Sequence, residues 1–242
     1  MIKKVIQRVL KAFGYRLQSI PKDIALKNGI NDETGGDDIS LPSRITVDTI
    51  IDVGVAGGTP WLYRQFPDQK LILVEPLNVV PSLMNLIEGR DYEMFECAVG
   101  SKQGDVTINY DKTRPSLSSV KSRTQLTQRK GHEIVSKTVP VRTLDSILAE
   151  SKFPNQNLGL KIDTEGYELE VLKGSVNLLK KCQFIVCEAS VAKRFEDSYS
   201  FSELIQFMAE NGFRLSNILR FNVGSNGVVR MVDVLFEPIG GN

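Results

Sequence analysis

Histidine and cysteine are scarce in this chain: 242 residues contain one histidine, His132, and three cysteines, Cys97, Cys182 and Cys187. An odd cysteine count with neither CxxC nor metal-ligand spacing argues against a disulfide framework, and no metal site is expected. Cys97 and Cys187 fall in apolar runs that read as buried strands, where free thiols behave as small hydrophobes. The expected setting is reduced and cytoplasmic. An excess of one charge is also missing. Thirty Lys and Arg stand against 29 Asp and Glu, so the net charge of +1 gives no field that would favour nucleic acid. No apolar stretch is long enough to span a bilayer. Internal repeats and low-complexity tracts are absent too. The length suits one well-buried α/β domain with decorations.

The first twenty residues are basic and periodic. Ile2, Val5, Ile6, Val9, Leu10 and Phe13 recur at helical spacing, and Lys3, Lys4, Arg8, Lys11 and Arg16 occupy much of the other face. That pattern predicts an amphipathic helix, not the continuous apolar block of a signal peptide. Its expected task is to cover the domain's own core or a partner subunit. The alternative, a weak membrane-surface contact through residues 1–20, has few bulky aromatics to anchor it. Residues 31–38 are turn formers with clustered acids and read as a mobile connection. Residues 1–46 are therefore set apart from a catalytic domain over 47–242.

From Val47 the chain alternates strands and helices. Strands are expected over 49–53, 71–74, up to 99, over 158–162 and over 184–187. Helices are expected over 79–87, 144–149, 167–179 with a break near Gly174, and 201–210, the last stopped by Asn211-Gly212. Two extended segments, 106–110 and 134–141, flank a Ser/Thr/Arg-rich run. The end reads as a hairpin, 213–219 and 228–236, around Gly224-Ser225-Asn226-Gly227. The fold class is thus α/β, a mostly parallel Rossmann-like sheet with an antiparallel C-terminal hairpin, plus the N-terminal amphipathic helix.

Two segments carry the chemistry: Ile51-Asp52-Val53-Gly54-Val55-Ala56-Gly57-Gly58 and Leu160-Lys161-Ile162-Asp163-Thr164-Glu165-Gly166-Tyr167-Glu168. Each is an apolar strand tipped by an acid and followed by a glycine-bearing turn. Open α/β sheets bind ligands beyond the carboxyl ends of their strands, so both turns are expected at one pocket rim. Carboxylates there suit a cationic, hydroxyl-rich ligand such as S-adenosylmethionine. A dinucleotide fingerprint would need glycines at positions 54, 56 and 59, and only Gly54 fits. The spacing from Asp52 through Gly54 to Gly58 is an acid-x-Gly-x-x-x-Gly instead. Thr59 and Pro60 suit the start of a helix.

Glu75 closes the second strand, where an acid accepts hydrogen bonds from ribose hydroxyls, and the turn-forming Pro76 follows it. Ala98-Val99, small and apolar, suit an adenine. Asp163 is placed to orient or deprotonate a methyl acceptor, with Glu165 and Glu168 crowding the same turn, unless these acids cap the next helix. His132 is a candidate base because it titrates near neutrality, though it lies in a polar run where an exposed bystander is commoner. The hydroxyl-rich Arg114–Ser119 run reads either as acceptor-side lining or as surface loop.

The strand motif over 160–168, with Val171-Leu172-Lys173-Gly174 after it, resembles the signature of the FkbM-type methyltransferase family. Val139–Asp145, Ser118-Ser119 and Val232–Phe236 fit the same resemblance, which covers roughly 47–237. It implies a class I methyltransferase fold using S-adenosyl-L-methionine, and oxygen acceptors on sugars, glycolipids or polyketide-type secondary metabolites. It also implies cofactor residues Asp52, Gly54 and Glu75, joined by Gly58, Pro76 and Ala98, and active-site residues Asp163 and Glu165. The turn departs from the family in lacking an Asn or His between its glycines. The partner expected is a small-molecule or glycan acceptor. A nicotinamide-dependent oxidoreductase and a non-catalytic methyltransferase-fold subunit are the rival readings.

Overall fold

A computed structural model describes residues 39–77, 81–111, 114–124, 134–153, 156–224 and 227–240 of the chain. The expected N-terminal helix and acidic connection lie outside these residues. Among the described residues, no helix is long and apolar enough to cross a membrane.

Seven strands form the main sheet in the order β10-β11-β9-β8-β1-β2-β3. Their ranges are β1 Thr49–Val53, β2 Lys70–Val74, β3 Tyr92–Phe95, β8 Leu158–Ile162, β9 Cys182–Ser190, β10 Phe213–Val223 and β11 Val229–Pro238. β1 pairs in parallel with β2 and β8, β2 with β3, and β8 with β9. Only β11 runs against its neighbours, β9 and β10. This is the mostly parallel α/β sheet with an antiparallel C-terminal hairpin expected from the sequence. The order reverses between β1 and β8, and a sheet of this kind leaves its ligand crevice at that switch point.

The sheet is covered on both faces, which is why its central strands are continuous apolar runs. Ile51, Val53, Leu160 and Ile162 face one side and pack with α3 (Leu144–Glu150), α4 (Glu168–Lys173), α5 (Val176–Leu179) and α6 (Phe201–Glu210). On the other side Ile50, Leu71, Leu73 and Phe184 meet Leu62 and Tyr63 of α1 (Pro60–Gln65) and Leu83 of α2 (Pro81–Leu86). Leu41 and Ile45 belong to this second cluster. The sequence break near Gly174 separates α4 from α5, and Ser200 and Glu203 form a reciprocal capping box at the start of α6.

A second sheet, of order β4-β7-β5-β6, was not anticipated. It comprises β4 Ala98–Val99, β5 Gly104–Asp111, β6 Arg114–Ser119 and β7 Ile134–Arg142. The third strand of the main sheet is Tyr92–Phe95, whose mixed Tyr-Glu-Met-Phe sequence gives no apolar run to announce it. The apolar Ala98-Val99 instead pairs with Val141 and Arg142 of β7. The Arg114–Ser119 run, left open between lining and loop, is a strand of this sheet.

Asp145 in α3 fastens α5. Its carboxylate accepts from the amides of Asn177 (3.1 Å) and Leu178 (2.8 Å), satisfying donors that a short helix leaves orphaned. Replacing it, Asp145→Ala, is expected to lower stability in urea melts by about 1–2 kcal/mol without changing the fold, as losing a helix cap does.

Candidate active site

A cleft of about 540 Å³, partly open to solvent, lies beyond the carboxyl ends of β1, β2 and β8. Its floor depends on how closely two strand tips approach. Gly54 has φ +76°, and a Cβ there would lie 1.8 Å from the Asp163 carbonyl oxygen. Only glycine fits both the left-handed conformation and that contact. The turn after it uses its own amides. Gly54 N donates to Val74 O, Gly58 N to Val55 O, and Ala56 N to the Glu75 carboxylate at 3.0 Å.

Asp52 does not line the cleft. Its side chain is fully buried on the α1 side, where Oδ2 accepts from the hydroxyls of Thr59 (2.8 Å) and Tyr63 (2.6 Å). This diverts Thr59 from its expected work: it sits at the N-cap of α1 but makes no side-chain cap bond there. Burial, reinforced by the Asp52 carboxylate, pushes the Tyr63 phenol far above its usual range. Asp52 Oδ1 has no hydrogen bond among the described residues, and the Lys161 ammonium stands 3.4 Å away. Gly58 also sits away from the cleft, against Leu83, Leu86 and Tyr63.

Glu75, Pro76 and Ala98 do line it. The Glu75 carboxylate is held rigidly at the tip of β2 by the amides of Ala56 and Leu77, each at 3.0 Å. Burial pushes its carboxyl above the usual range, opposed by those two amides. Val74, Val99 and Ile108 give the adjoining wall an apolar surface.

Asp163, Thr164 and Glu165 form the side contributed by β8 and its loop. Asp163 is the open carboxylate, its side chain 31% exposed, with Lys161 at 3.4 Å. Glu165 sits at φ +52°, a costly conformation for a non-glycine residue. Its carboxylate is gripped by Arg194 (2.5 Å) and faces Arg123 at 3.6 Å. Burial raises its carboxyl, against the pull of Arg194. Glu168 turns away from the cleft and ties the loop down. It accepts from the amides of Thr164 and Gly166 and from the Tyr199 hydroxyl.

The roof comes from the second sheet. Ser118 and Ser119 line the cleft, and the Ser119 hydroxyl donates to Glu165 O at 2.6 Å. Beyond β6 the chain bridges to the segment after β9, through Thr124 N to Arg194 O and Glu196 N to Ser122 O. Of the residues named from sequence, the cleft brings together Gly54, Glu75, Pro76, Ala98, Asp163 and Glu165. His132 lies outside the described residues.

Sequence reasoning missed a row of charges crossing the sheet. Lys161 faces Asp52 across the β1–β8 register, while Glu188, Asp233 and Arg220 continue toward the hairpin. Glu188 accepts from Arg194 at 3.2 Å and Asp233 from Arg220 at 2.8 Å. Lys161 and Glu188 are each the single charge of their strand, a signal that could have been read. Burial pushes Glu188 well above the usual carboxylate range, with Asp163, Glu165 and Asp233 adding to the rise.

Residues 52–215 match the family model described as the methyltransferase FkbM domain. A methyltransferase FkbM from Methylobacillus flagellatus KT superposes with a TM-score of 0.47 at 15% identity, covering 79% of this chain and 43% of that protein. This chain thus spans less than half of that protein's length. A 1,6-didemethyltoxoflavin-N1-methyltransferase from Burkholderia thailandensis, with 1,6-didemethyltoxoflavin and S-adenosylhomocysteine bound, gives 0.41 at 8% identity over 80% and 72% of the two chains. A magnesium protoporphyrin IX methyltransferase from Synechocystis PCC 6803 with bound SAM gives 0.40 at 8% identity over 81% and 72%. No curated protein sequence matches.

Two measurements check this geometry. Gly54→Ala should destabilise the protein by at least about 3 kcal/mol in urea melts, since backbone must move to admit the methyl group. The Glu188 carboxyl is raised on folding, so the native state binds the extra proton and its contribution is complete below the unfolded value near 4.5. It is lost as pH rises through the folded value. Stability at pH 5 relative to pH 8 should therefore be greater in the wild type than in Glu188→Gln, read from paired melts.

Proposed function

This chain belongs to the FkbM methyltransferase family, and from that premise we propose that its cleft binds S-adenosylmethionine and that it methylates a hydroxyl oxygen of a sugar, glycolipid or secondary metabolite. One observation carries the reading. The described residues that line the cleft include Glu75, Asp163 and Glu165 but no Lys, Arg or His. A crevice at the switch point of a parallel sheet, acidic and without basic side chains, matches a nucleoside bearing a positive charge. It does not match a pyrophosphate.

The turn argues the same way. A dinucleotide needs free backbone amides and a helix N-terminus for its phosphates. Here Gly54, Ala56 and Gly58 donate their amides to protein acceptors, and Ala56 gives its amide to a carboxylate. The nicotinamide alternative loses its binding site. A subunit without catalytic work would have no use for an acid fixed by two amides at the tip of β2.

Bound there, S-adenosylmethionine supplies an electrophilic methyl group on its sulfonium. The chain's own contribution is binding and alignment, which can account for a large share of a barrier reduction. Glu75 retains lone pairs for ribose hydroxyls once its two amide bonds are made. Ala98, Val99 and Val74 offer the base an apolar wall. Asp163 is the cleft carboxylate with room to accept a hydrogen bond from the acceptor hydroxyl and to take its proton. Glu165, clamped by Arg194, holds the roof against the floor. Asp52 acts from below, by fixing the turn through Thr59 and Tyr63.

Isothermal titration with S-adenosylmethionine tests the reading. Saturable heat is expected, and Glu75→Ala should weaken the affinity at least about tenfold, equivalent to about 1.4 kcal/mol. Folded wild-type protein that gives no heat and no thermal shift would refute it.

A further inference from the structure

We propose that Lys161 is a positioning residue: it ties the acid beneath the glycine turn, Asp52, to the acid in the cleft, Asp163, and through Asp163 sets the cleft's preference for a cationic ligand over a neutral one. The preference rests on the cofactor reading above; the tie does not.

The placement of Lys161 is costly. β8 is a central strand flanked by β1 and β9, and its other inward residues are apolar or glycine. On the face that Lys161 shares, Gly159 is pressed against Phe184 and Ile50, and Val186 is its register partner on β9. An aliphatic side chain would pack there with no charge to desolvate. Buried ion pairs are seldom worth more than the apolar residues that could replace them. Lys161 is nonetheless an ammonium with a side chain only 11% exposed.

Its surroundings are specific. Asp52 Oδ1 and Asp163 Oδ2 each lie 3.4 Å from Nζ, on opposite sides of the Gly54 turn. Lys161 is the charged partner of the Asp52 oxygen that lacks a hydrogen bond. Glu188 and Asp233 act on the same ammonium from β9 and β11, and with Asp52 and Asp163 they hold it protonated against its burial. Asp52 and Asp163 therefore share one cation, while Arg194 serves Glu188 and Arg220 serves Asp233 behind them. Without that cation, Asp163 loses the partner that fixes its orientation. A carboxylate turned out of place attracts a sulfonium less.

The test compares S-adenosylmethionine, which carries the sulfonium, with S-adenosylhomocysteine, which lacks it. Their affinity ratio is measured by titration calorimetry on wild type, Lys161→Met, Asp163→Asn and the double variant. Lys161→Met should lower the preference for the cationic ligand at least about threefold when Asp163 is present, and leave it unchanged in the Asp163→Asn background. The same fall should persist when Asp52→Asn is added, a background that also removes the unpaired buried charge threatening the fold. A purely structural lysine would weaken both ligands alike. An equal change with and without the Asp163 carboxylate, or a change abolished by Asp52→Asn, overturns the proposal. Should the wild type bind neither ligand, the cofactor reading fails on its own account. Melting temperatures of the same four proteins then decide the tie: non-additive losses support it, and additive losses refute it.

Discussion

The structure turns on the approach of β1 to β8 at their carboxyl ends. Gly54 abuts the backbone of Asp163 so closely that no side chain can stand between them. That contact brings two loops, a hundred residues apart in the chain, into one rim. The parallel register of Thr49–Val53 on Leu158–Ile162 makes it inevitable, because strand tips aligned residue for residue must end side by side. The cleft, the fixed Glu75 and the open Asp163 all follow from that alignment.

Charge is distributed around this contact in two layers. Among the described residues that line the cleft, the charged side chains are all carboxylates. Behind it, a row of buried acids is matched by Lys161, Arg194 and Arg220, so that little net charge is left in the interior. Burying so many ions costs stability, and mutual pairing offsets only part of that cost. The arrangement is better explained by what it does for the surface it supports. The loops around the cleft are anchored by side chains of neighbouring segments: Glu165 by Arg194 after β9, Gly166 by Glu168 at the start of α4, the glycine turn by Glu75 just past β2.

Much of the main sheet was legible because its strands are buried on both faces and therefore run apolar without interruption. Leu158–Ile162 and Phe201–Glu210 are found where their patterns placed them, the second between a serine cap and an Asn-Gly stop. The second sheet was not legible. β5 and β7 are largely exposed and mix polar with apolar residues, and β4 is two residues long, defined only by its partner β7. Glu75 and Asp163 could be named because each is an acid at the end of an apolar strand, and Gly54 because a glycine-bearing turn follows the acid of the first. What the same rule could not supply was direction. Asp52 obeys it as well as Glu75 does, yet strand alternation turns Asp52 into the layer under α1, where Thr59 and Tyr63 wait for it.

That alternation also separates Asp163, which lines the cleft, from Asp52, which does not. The two acids tip adjacent strands, but Asp52 is paired within the β1–β8 ladder, whereas Asp163 lies one residue beyond the last paired position of β8. Its amide still donates to Val53 O, but its side chain reaches the cleft, while Lys161 two residues earlier stays below and contacts both acids. One acid is spent on holding the turn and the other is left facing solvent. A difference of one residue in where pairing stops is thus enough to separate a structural carboxylate from one available to a ligand.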